Sequence, residues 1–231
     1  EAPAEVVEEK EFTRKLPYAL DEANVCVLDF AEYRFGGSRW QGPLEVLKAD
    51  RKIRETVGIE HRGGGMLQPW YARLYKNEAY GPVKLKYRFE VETMPEGELF
   101  IAAERPEYFR IALNGKELVH KEEDGFWIDS CLKILKIPAG YVKKGVNELT
   151  AETEFRRTTN IEAMYLVGDF GVKKGLYSST LTTLPEKLGF GNMEEYALPF
   201  YTGCVTYKLG KLRKPKDGER VFITVPGYVG S

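Results

Sequence analysis

The chain has 231 residues, with 34 basic and 35 acidic side chains and a formal net charge of −1. This balance argues against nucleic acid and against an anionic membrane as partners, because both attract strongly basic proteins. No apolar run approaches the roughly 20 residues that a membrane-spanning helix needs. A chain of this length forms one large domain or two small ones.

The N-terminal segment, residues 1–16, is acidic and polar and lacks the apolar core of a secretory signal peptide. We expect this segment to be mobile, as unanchored chain ends usually are. Because the sequence starts with Glu1 rather than Met, we also expect a processed product or an excised piece of a longer polypeptide.

The three cysteines are Cys26, Cys131 and Cys204, and no two of them form a C-x-x-C motif. An odd number of widely spaced cysteines argues against a disulfide framework. Each has apolar neighbours in the sequence, so we predict three buried free thiols. A single disulfide bond is the alternative.

The first predicted strand is Asn24–Phe35, and it ends at a pair of glycines. Its predicted faces carry Val25, Val27 and Asp29 on one side and Cys26, Leu28 and Phe30 on the other. A short helix is predicted over Leu47–Val57, with Asp50 near its start and Gly58 just past its end as caps. His61–Tyr80 has no regular period and contains three consecutive glycines, which let the backbone turn sharply or pass close to another group.

Short strands dominate the rest of the sequence, separated by turns. They are Val83–Glu92, Leu99–Ala103, Tyr108–Leu113, Phe126–Ile137, Val146–Phe155 and Ala163–Val172. Asn114-Gly115 favours a two-residue type I′ hairpin turn. Strands at this spacing with little helix predict an all-β sandwich of two antiparallel sheets with one short helix.

The predicted domain division places the sandwich at 17–175. A second group of strands, within 176–231, includes one that leads out of Leu198–Tyr207 and another at Arg220–Val225. Two strands rarely fold alone. They either complete the first sandwich or begin a second one that is truncated.

Three motifs follow one another in this sequence. They are Leu113-Asn114-Gly115-Lys116 with Gly125-Phe126-Trp127-Ile128-Asp129, then Gly145-Val146-Asn147-Glu148-Leu149, then Pro199-Phe200-Tyr201-Thr202-Gly203-Cys204-Val205-Thr206-Tyr207. Their order resembles the galactose-binding-like jelly-roll modules of large bacterial glycoside hydrolases, either family 2-like or rhamnosidase-like. The resemblance implies a galactose-binding-like jelly roll and an accessory, non-catalytic role without a cofactor.

The same resemblance implies two partners, a carbohydrate and the catalytic domain of the parent polypeptide. It also implies a bacterial origin, with secreted and cytoplasmic locations both open. Related jelly rolls often hold a structural calcium ion, for which Glu122-Glu123-Asp124 is the unspecific candidate here. No catalytic or other metal-binding residue is predicted.

Candidate sugar-binding residues combine aromatic faces, which stack on sugar rings, with polar groups that bind hydroxyls. They are Trp70, Tyr71, Trp127, Asp129, Arg156, Arg157 and Asn160. Packing in the core is the alternative for Trp127, and packing under their loop is the alternative for Trp70 and Tyr71. For Arg156, Arg157 and Asn160 the alternative is an ordinary solvated loop. A hydrogen bond to a turn backbone or an ion pair with an arginine is the alternative for Asp129.

Two rival functions remain open at this stage. The first rival to a sugar-binding module is a structural module that packs against a catalytic domain without binding sugar. The second is a glycoside hydrolase in its own right. A glycosidase needs two carboxylates that flank one sugar bond. The neighbours of the 35 acidic residues single out no such pair, so we expect no catalytic centre in this chain.

Overall fold

The structure of the protein, a computed structural model, describes residues 6, 8, 15–63, 69–74 and 76–224, with only the backbone described at 69, 72 and 73. Most of the predicted mobile segment, two glycines of the predicted glycine run and the end of the last predicted strand therefore lie outside the described residues. Among the described residues, no helix is both long enough and apolar enough to cross a membrane.

The described residues form mostly short strands, together with two long ones of 13 and 12 residues, one α-helix of three turns and one much shorter α-helix. The strands are β1 Lys15–Leu16, β2 Tyr18–Leu20, β3 Asn24–Leu28, β4 Phe30–Phe35, β5 Gln41–Glu45, β6 Ala79–Val91, β7 Leu99–Glu104, β8 Arg110–Leu113, β9 Lys116–Leu118, β10 Leu132–Ile137, β11 Gly145–Arg156, β12 Met164–Gly168, β13 Gly171–Lys173, β14 Thr180–Thr182, β15 Leu188–Gly189 and β16 Val205–Tyr207. The helices are α1 Val46–Val57 and α2 Pro69–Leu74.

Two sheets make up the body of the protein. The larger has the order β13-β14-β6-β11-β8-β9, with β4 also paired to β6 and β5 paired to β4. The smaller has the order β10-β7-β12-β3. Apart from the parallel pair β14–β6, all strand pairs are antiparallel. Side chains of both sheets form one buried core, which confirms the predicted all-β sandwich with one short helix.

The predicted strand Asn24–Phe35 is interrupted at Asp29. Before this residue the chain forms β3, which pairs with β12 in the smaller sheet. After it the chain forms β4, which pairs with β6 in the larger sheet. The backbone carbonyl of Asp29 accepts a hydrogen bond from the backbone N–H of Val46 at 2.9 Å, so the crossing point is held by the start of α1.

Helix α1 lies where it is predicted, but its N-terminal cap differs. The Glu45 carboxylate accepts hydrogen bonds from the backbone N–H groups of Leu47 and Lys48, at 2.9 and 3.2 Å, which is the capping role predicted for Asp50. Asp50 lies one turn further into the helix and is buried. Gly58 ends the helix with φ +70°, a conformation that suits glycine.

The predicted hairpin at Asn114-Gly115 is confirmed. Both residues have positive φ, 51° and 79°, as a type I′ turn requires. The Asn114 amide also donates to the Asn147 side-chain oxygen at 2.8 Å. Two of the three motifs that carry the family resemblance are therefore joined by a direct hydrogen bond.

The predicted strand at Phe126–Ile137 is shorter than expected, since only Leu132–Ile137 forms a strand, although Phe126 makes an isolated β-bridge to Lys133. Ile128 has φ +36°, outside the range that a strand permits. Near the C-terminus, residues 220–224 form no strand. In the segment after residue 175, β14 pairs with β6, β15 with β1 and β16 with β2.

The cysteines are all free, and only Cys26 is buried. Burial raises the pKa of the Cys26 thiol to about 12. The prediction of burial is wrong for Cys131 and Cys204, which are exposed. Both lie in loops rather than on an inward-facing strand position, and their backbone N–H groups donate to the carboxylates of Asp129 and Glu22.

Candidate functional site

A buried arginine fixes the loop between β11 and β12 at one end of the sandwich. Arg54, on α1, is fully buried, and its Nε donates to the Asp50 carboxylate at 2.7 Å. Its two terminal nitrogens donate to the backbone carbonyls of Arg157 and Thr159, at 3.1 and 2.9 Å. The guanidinium carbon lies 5.4 Å from the centre of the Phe155 ring. Helix α1 therefore sets the position of this loop.

Four side chains meet beside that loop, and we call them the Arg157 cluster: Glu60, Trp70, Tyr71 and Arg157. The Tyr71 hydroxyl donates to one oxygen of the Glu60 carboxylate, and Arg157 Nη1 donates to the other. Tyr71 is buried, whereas Trp70 is 52% exposed. The two rings meet edge to face, with 6.0 Å between their centres.

Electrostatics within the Arg157 cluster favour the charged forms of Glu60 and Arg157. The Tyr71 hydrogen bond, and then the Arg157 hydrogen bond, lower the pKa of Glu60 to about 2, although desolvation acts in the opposite direction. The hydrogen bond from Arg157 to Glu60 raises the pKa of Arg157. Burial, and then the contact with Glu60, raises the pKa of Tyr71. The cluster therefore presents an ionised carboxylate and a guanidinium beside an exposed indole.

The lowered pKa of Glu60 predicts how its contribution to stability changes with pH. Because its folded-state pKa of about 2 lies below the ordinary 4.5, Glu60 stabilises the folded protein above pH 4.5, and this contribution is lost as the pH falls towards 2. We expect the difference in the free energy of unfolding between wild type and Glu60→Gln to shrink over that interval. Urea unfolding at a series of pH values measures it, and a difference that stays constant from pH 4.5 to 2 would contradict the assignment.

Arg156 precedes Arg157 in the sequence, but its side chain forms its hydrogen bond outside the Arg157 cluster. Its guanidinium donates to the backbone carbonyl of Asn77, and the Thr158 hydroxyl donates to the Asn77 side chain at 2.9 Å. These contacts join the β11–β12 loop to the residues that precede β6. Arg156 is exposed, so its unused donors face solvent at the same end of the sandwich.

Asn160 is turned into the protein rather than towards the Arg157 cluster. Its amide donates to the Glu104 carboxylate at 2.7 Å, and it lines a void of about 10 Å³ together with Glu104 and Glu162. Such a void has room for about one water molecule. Asn160 Oδ1 is buried and has no partner among the described residues, which suits a bound water better than a sugar.

Trp127 and Asp129 lie in a different part of the protein. Trp127 is half-buried on the outer face of the smaller sheet, with its ring centre 5.3 Å from that of Tyr165. Asp129 is exposed and accepts the backbone N–H of Cys131 at 2.9 Å, and its hydrogen bonds to Cys131 lower the pKa of its carboxyl. The structure thus brings Trp70, Tyr71 and Arg157 together and leaves Trp127 and Asp129 apart from them.

Glu60 and Arg54 were not among the predicted site residues. Glu60 follows the helix cap and has no neighbouring motif, and Arg54 reads as an ordinary residue of a surface helix. Its spacing of four from Asp50 is the one signal in the sequence, since charges so placed share a helix face. That signal predicts an exposed ion pair, not the buried one that the structure contains.

The segment proposed for calcium forms a short turn, Glu122–Asp124, that caps itself. The Asp124 carboxylate accepts the backbone N–H of Lys121 at 3.2 Å. Within the described ranges, no group of three or more His, Cys, Asp or Glu side chains is arranged to hold a metal ion. A structural calcium ion therefore stays a prediction.

Comparison with known proteins adds no family assignment. No protein-family model and no curated protein matches this chain. The class that the observations define is an all-β sandwich with a charged and aromatic cluster at one end. The resemblance to jelly-roll modules stays a prediction.

Proposed function

We propose that this chain is a non-catalytic carbohydrate-binding module with a jelly-roll fold, an accessory part of a bacterial glycoside hydrolase. The observation that carries the proposal is the Arg157 cluster, in which a half-exposed Trp70 lies beside an ionised carboxylate and a guanidinium. An exposed indole face suits the C–H face of a pyranose ring, and charged groups form strong hydrogen bonds to hydroxyls.

The way in which the cluster is held supports this proposal. Tyr71 is buried, meets the Trp70 ring edge to face and donates a hydrogen bond to Glu60, and the backbone of Arg157 is fixed by Arg54. Sites whose side chains are already ordered lose less entropy when a ligand binds. Sugars bind weakly through few contacts, so a preorganised cluster is what such a module requires.

A glycan array with wild type and Trp70→Ala tests the proposal. We expect saturable binding to at least one glycan, weakened about tenfold by the substitution, because the loss of a stacked ring removes on the order of 1 kcal/mol. Calorimetry on any hit measures the change in affinity. Tyr108→Ala is the matched control, since Tyr108 is an exposed aromatic residue outside the cluster.

A second candidate, a structural module that packs against the catalytic domain of the parent polypeptide, has its own supporting observation. The outer face of the smaller sheet is apolar, although the outer face of a sandwich sheet is usually polar. Tyr165 and Phe100 are half-buried there beside Trp127, and Phe126 and Ile128 next to it are 58% and 73% exposed. Silence of the wild type across plant, host and bacterial glycans would contradict sugar binding and favour this candidate.

A further inference from the structure

A cleft opens between the second half of α1 and the hairpin formed by β4 and β5. We call it the α1 cleft, and its volume is about 500 Å³. Its lining includes Tyr33, Phe35 and Gln41 from the hairpin and Lys52 and Glu55 from the helix. Pockets for small ligands span roughly 300–1,000 Å³, so this cleft accommodates one or two sugar rings. None of the residues of the Arg157 cluster lines it.

The floor of the α1 cleft is apolar and tightly packed. Tyr33 and Ile53 are 3% and 1% exposed. Phe35 is half-buried and meets Phe155 edge to face, with 6.1 Å between the ring centres. These side chains belong to the core cluster or pack against it. The floor therefore keeps its shape and offers an aromatic surface to the apolar face of a ligand.

The rim of the α1 cleft is polar and carries no net charge. Lys52 and Glu55 supply opposite charges. The Tyr33 hydroxyl donates to Gln41 Oε1 at 2.8 Å, which orders the amide. In the described part of the chain, the Gln41 amino group finds no acceptor and Lys52 forms no ion pair, so both have donors to offer. Balanced charge and mixed donors and acceptors suit a neutral ligand rich in hydroxyl groups.

We propose that the α1 cleft is a second carbohydrate site, which binds a neutral hexose or disaccharide. The ring of the sugar lies against Phe35, and its hydroxyls bond to Gln41, Lys52 and Glu55. The choice of a sugar as the ligand rests on the proposed function. The location of the site does not, because the α1 cleft and the Arg157 cluster share no residue.

The test is a titration of the isotope-labelled protein with D-galactose and with L-rhamnose, followed by amide chemical shifts. We expect saturable shifts at Ser38, Gln41 and residues 52–56. Lys52→Ala should weaken the affinity about tenfold or more, the effect of losing one charged hydrogen bond. Gln41→Leu, which removes a neutral hydrogen bond, should weaken it about fivefold. Lys48→Ala is the matched control, since Lys48 is exposed on the same helix, one turn earlier and outside the cleft.

This experiment distinguishes failure of the α1 cleft proposal from failure of the Arg157 cluster proposal. Shifts at residues 52–56 without shifts near Trp70 would support the α1 cleft and count against the Arg157 cluster. Shifts confined to Glu60, Trp70 and Arg157 would overturn the α1 cleft and leave the proposed function intact. The proposal for the α1 cleft would also be overturned if neither sugar caused shifts. The same holds if the affinity were unchanged in both Lys52→Ala and Gln41→Leu. The spectrum of each unliganded variant shows whether it is folded.

Discussion

Replacing Arg54 with Met is expected to lower the free energy of unfolding by about 3–5 kcal/mol, the usual cost of removing one partner of a buried ion pair. Arg54 is fully buried, and Asp50 is 2% exposed. The substitution leaves the Asp50 carboxylate without its cation, although burial already raises the pKa of that carboxyl. It also leaves two backbone carbonyls, of Arg157 and Thr159, without a donor.

Urea unfolding followed by tryptophan fluorescence measures this loss. The double variant Asp50→Leu, Arg54→Met is the control, because removing both charges eliminates the uncompensated carboxylate and should recover part of the stability. Recovery should stay incomplete, since the two loop carbonyls still lack a donor. A loss below about 1 kcal/mol for Arg54→Met, typical of an exposed ion pair, would show that the pair is not buried in solution.

Replacing Asn147 with Leu is expected to cost about 3 kcal/mol, from several buried polar groups left without partners. Asn147 is fully buried. Its amide nitrogen donates to the carbonyls of Lys143 and Gly145, at 2.7 and 2.9 Å. Its oxygen accepts the Lys143 N–H at 2.9 Å and the Asn114 amide at 2.8 Å. One side chain thus holds the turn before β11 and ties it to the β8–β9 hairpin.

Thermal and urea unfolding of Asn147→Leu check this expectation against Asn192→Leu. Asn192 is exposed, and its side-chain oxygen caps a short turn by accepting the Glu194 N–H at 3.1 Å, so its loss should cost about 1 kcal/mol. Equal losses for the two variants would mean that the buried network around Asn147 contributes no more than an ordinary cap.

The fold was predictable where side chains alternate strictly. In β6, Val83, Leu85, Tyr87, Phe89 and Val91 are predicted to face inward, and each is 1% exposed or less. A period of two in the sequence specifies which face of a strand is buried. The type I′ turn at Asn114-Gly115 was also predictable from the local sequence, because asparagine and glycine are among the few residues that adopt positive φ.

The change of sheet at Asp29 was not predictable in this way. The residues before Asp29 are apolar on both faces and those after it alternate, and one continuous strand fits this sequence as well as two strands do. The loop at 126–131 was wrongly predicted to be part of a strand, again because of its apolar residues. Three apolar residues in a row indicate a strand, although Phe126 and Ile128 are exposed.

The candidate site was predictable in its residue types and not in its assembly. Trp70, Tyr71 and Arg157 were singled out for their chemistry, but Glu60 and Arg157 lie 97 positions apart. No local pattern relates residues so far apart in a single sequence. Asp129 turned out to bind its own turn, an alternative that the sequence alone left open.

The pairing of β3 has a consequence for how this chain folds during synthesis. Its residues, Asn24–Leu28, form the edge of the smaller sheet, and among the described residues they pair there only with Met164–Gly168. Its continuation β4 pairs with β6, so the larger sheet begins to assemble much sooner. A nascent chain must therefore keep an apolar strand without its partner until residue 168 has left the ribosome. Such late, long-range closure makes folding slow and the waiting strand prone to aggregate.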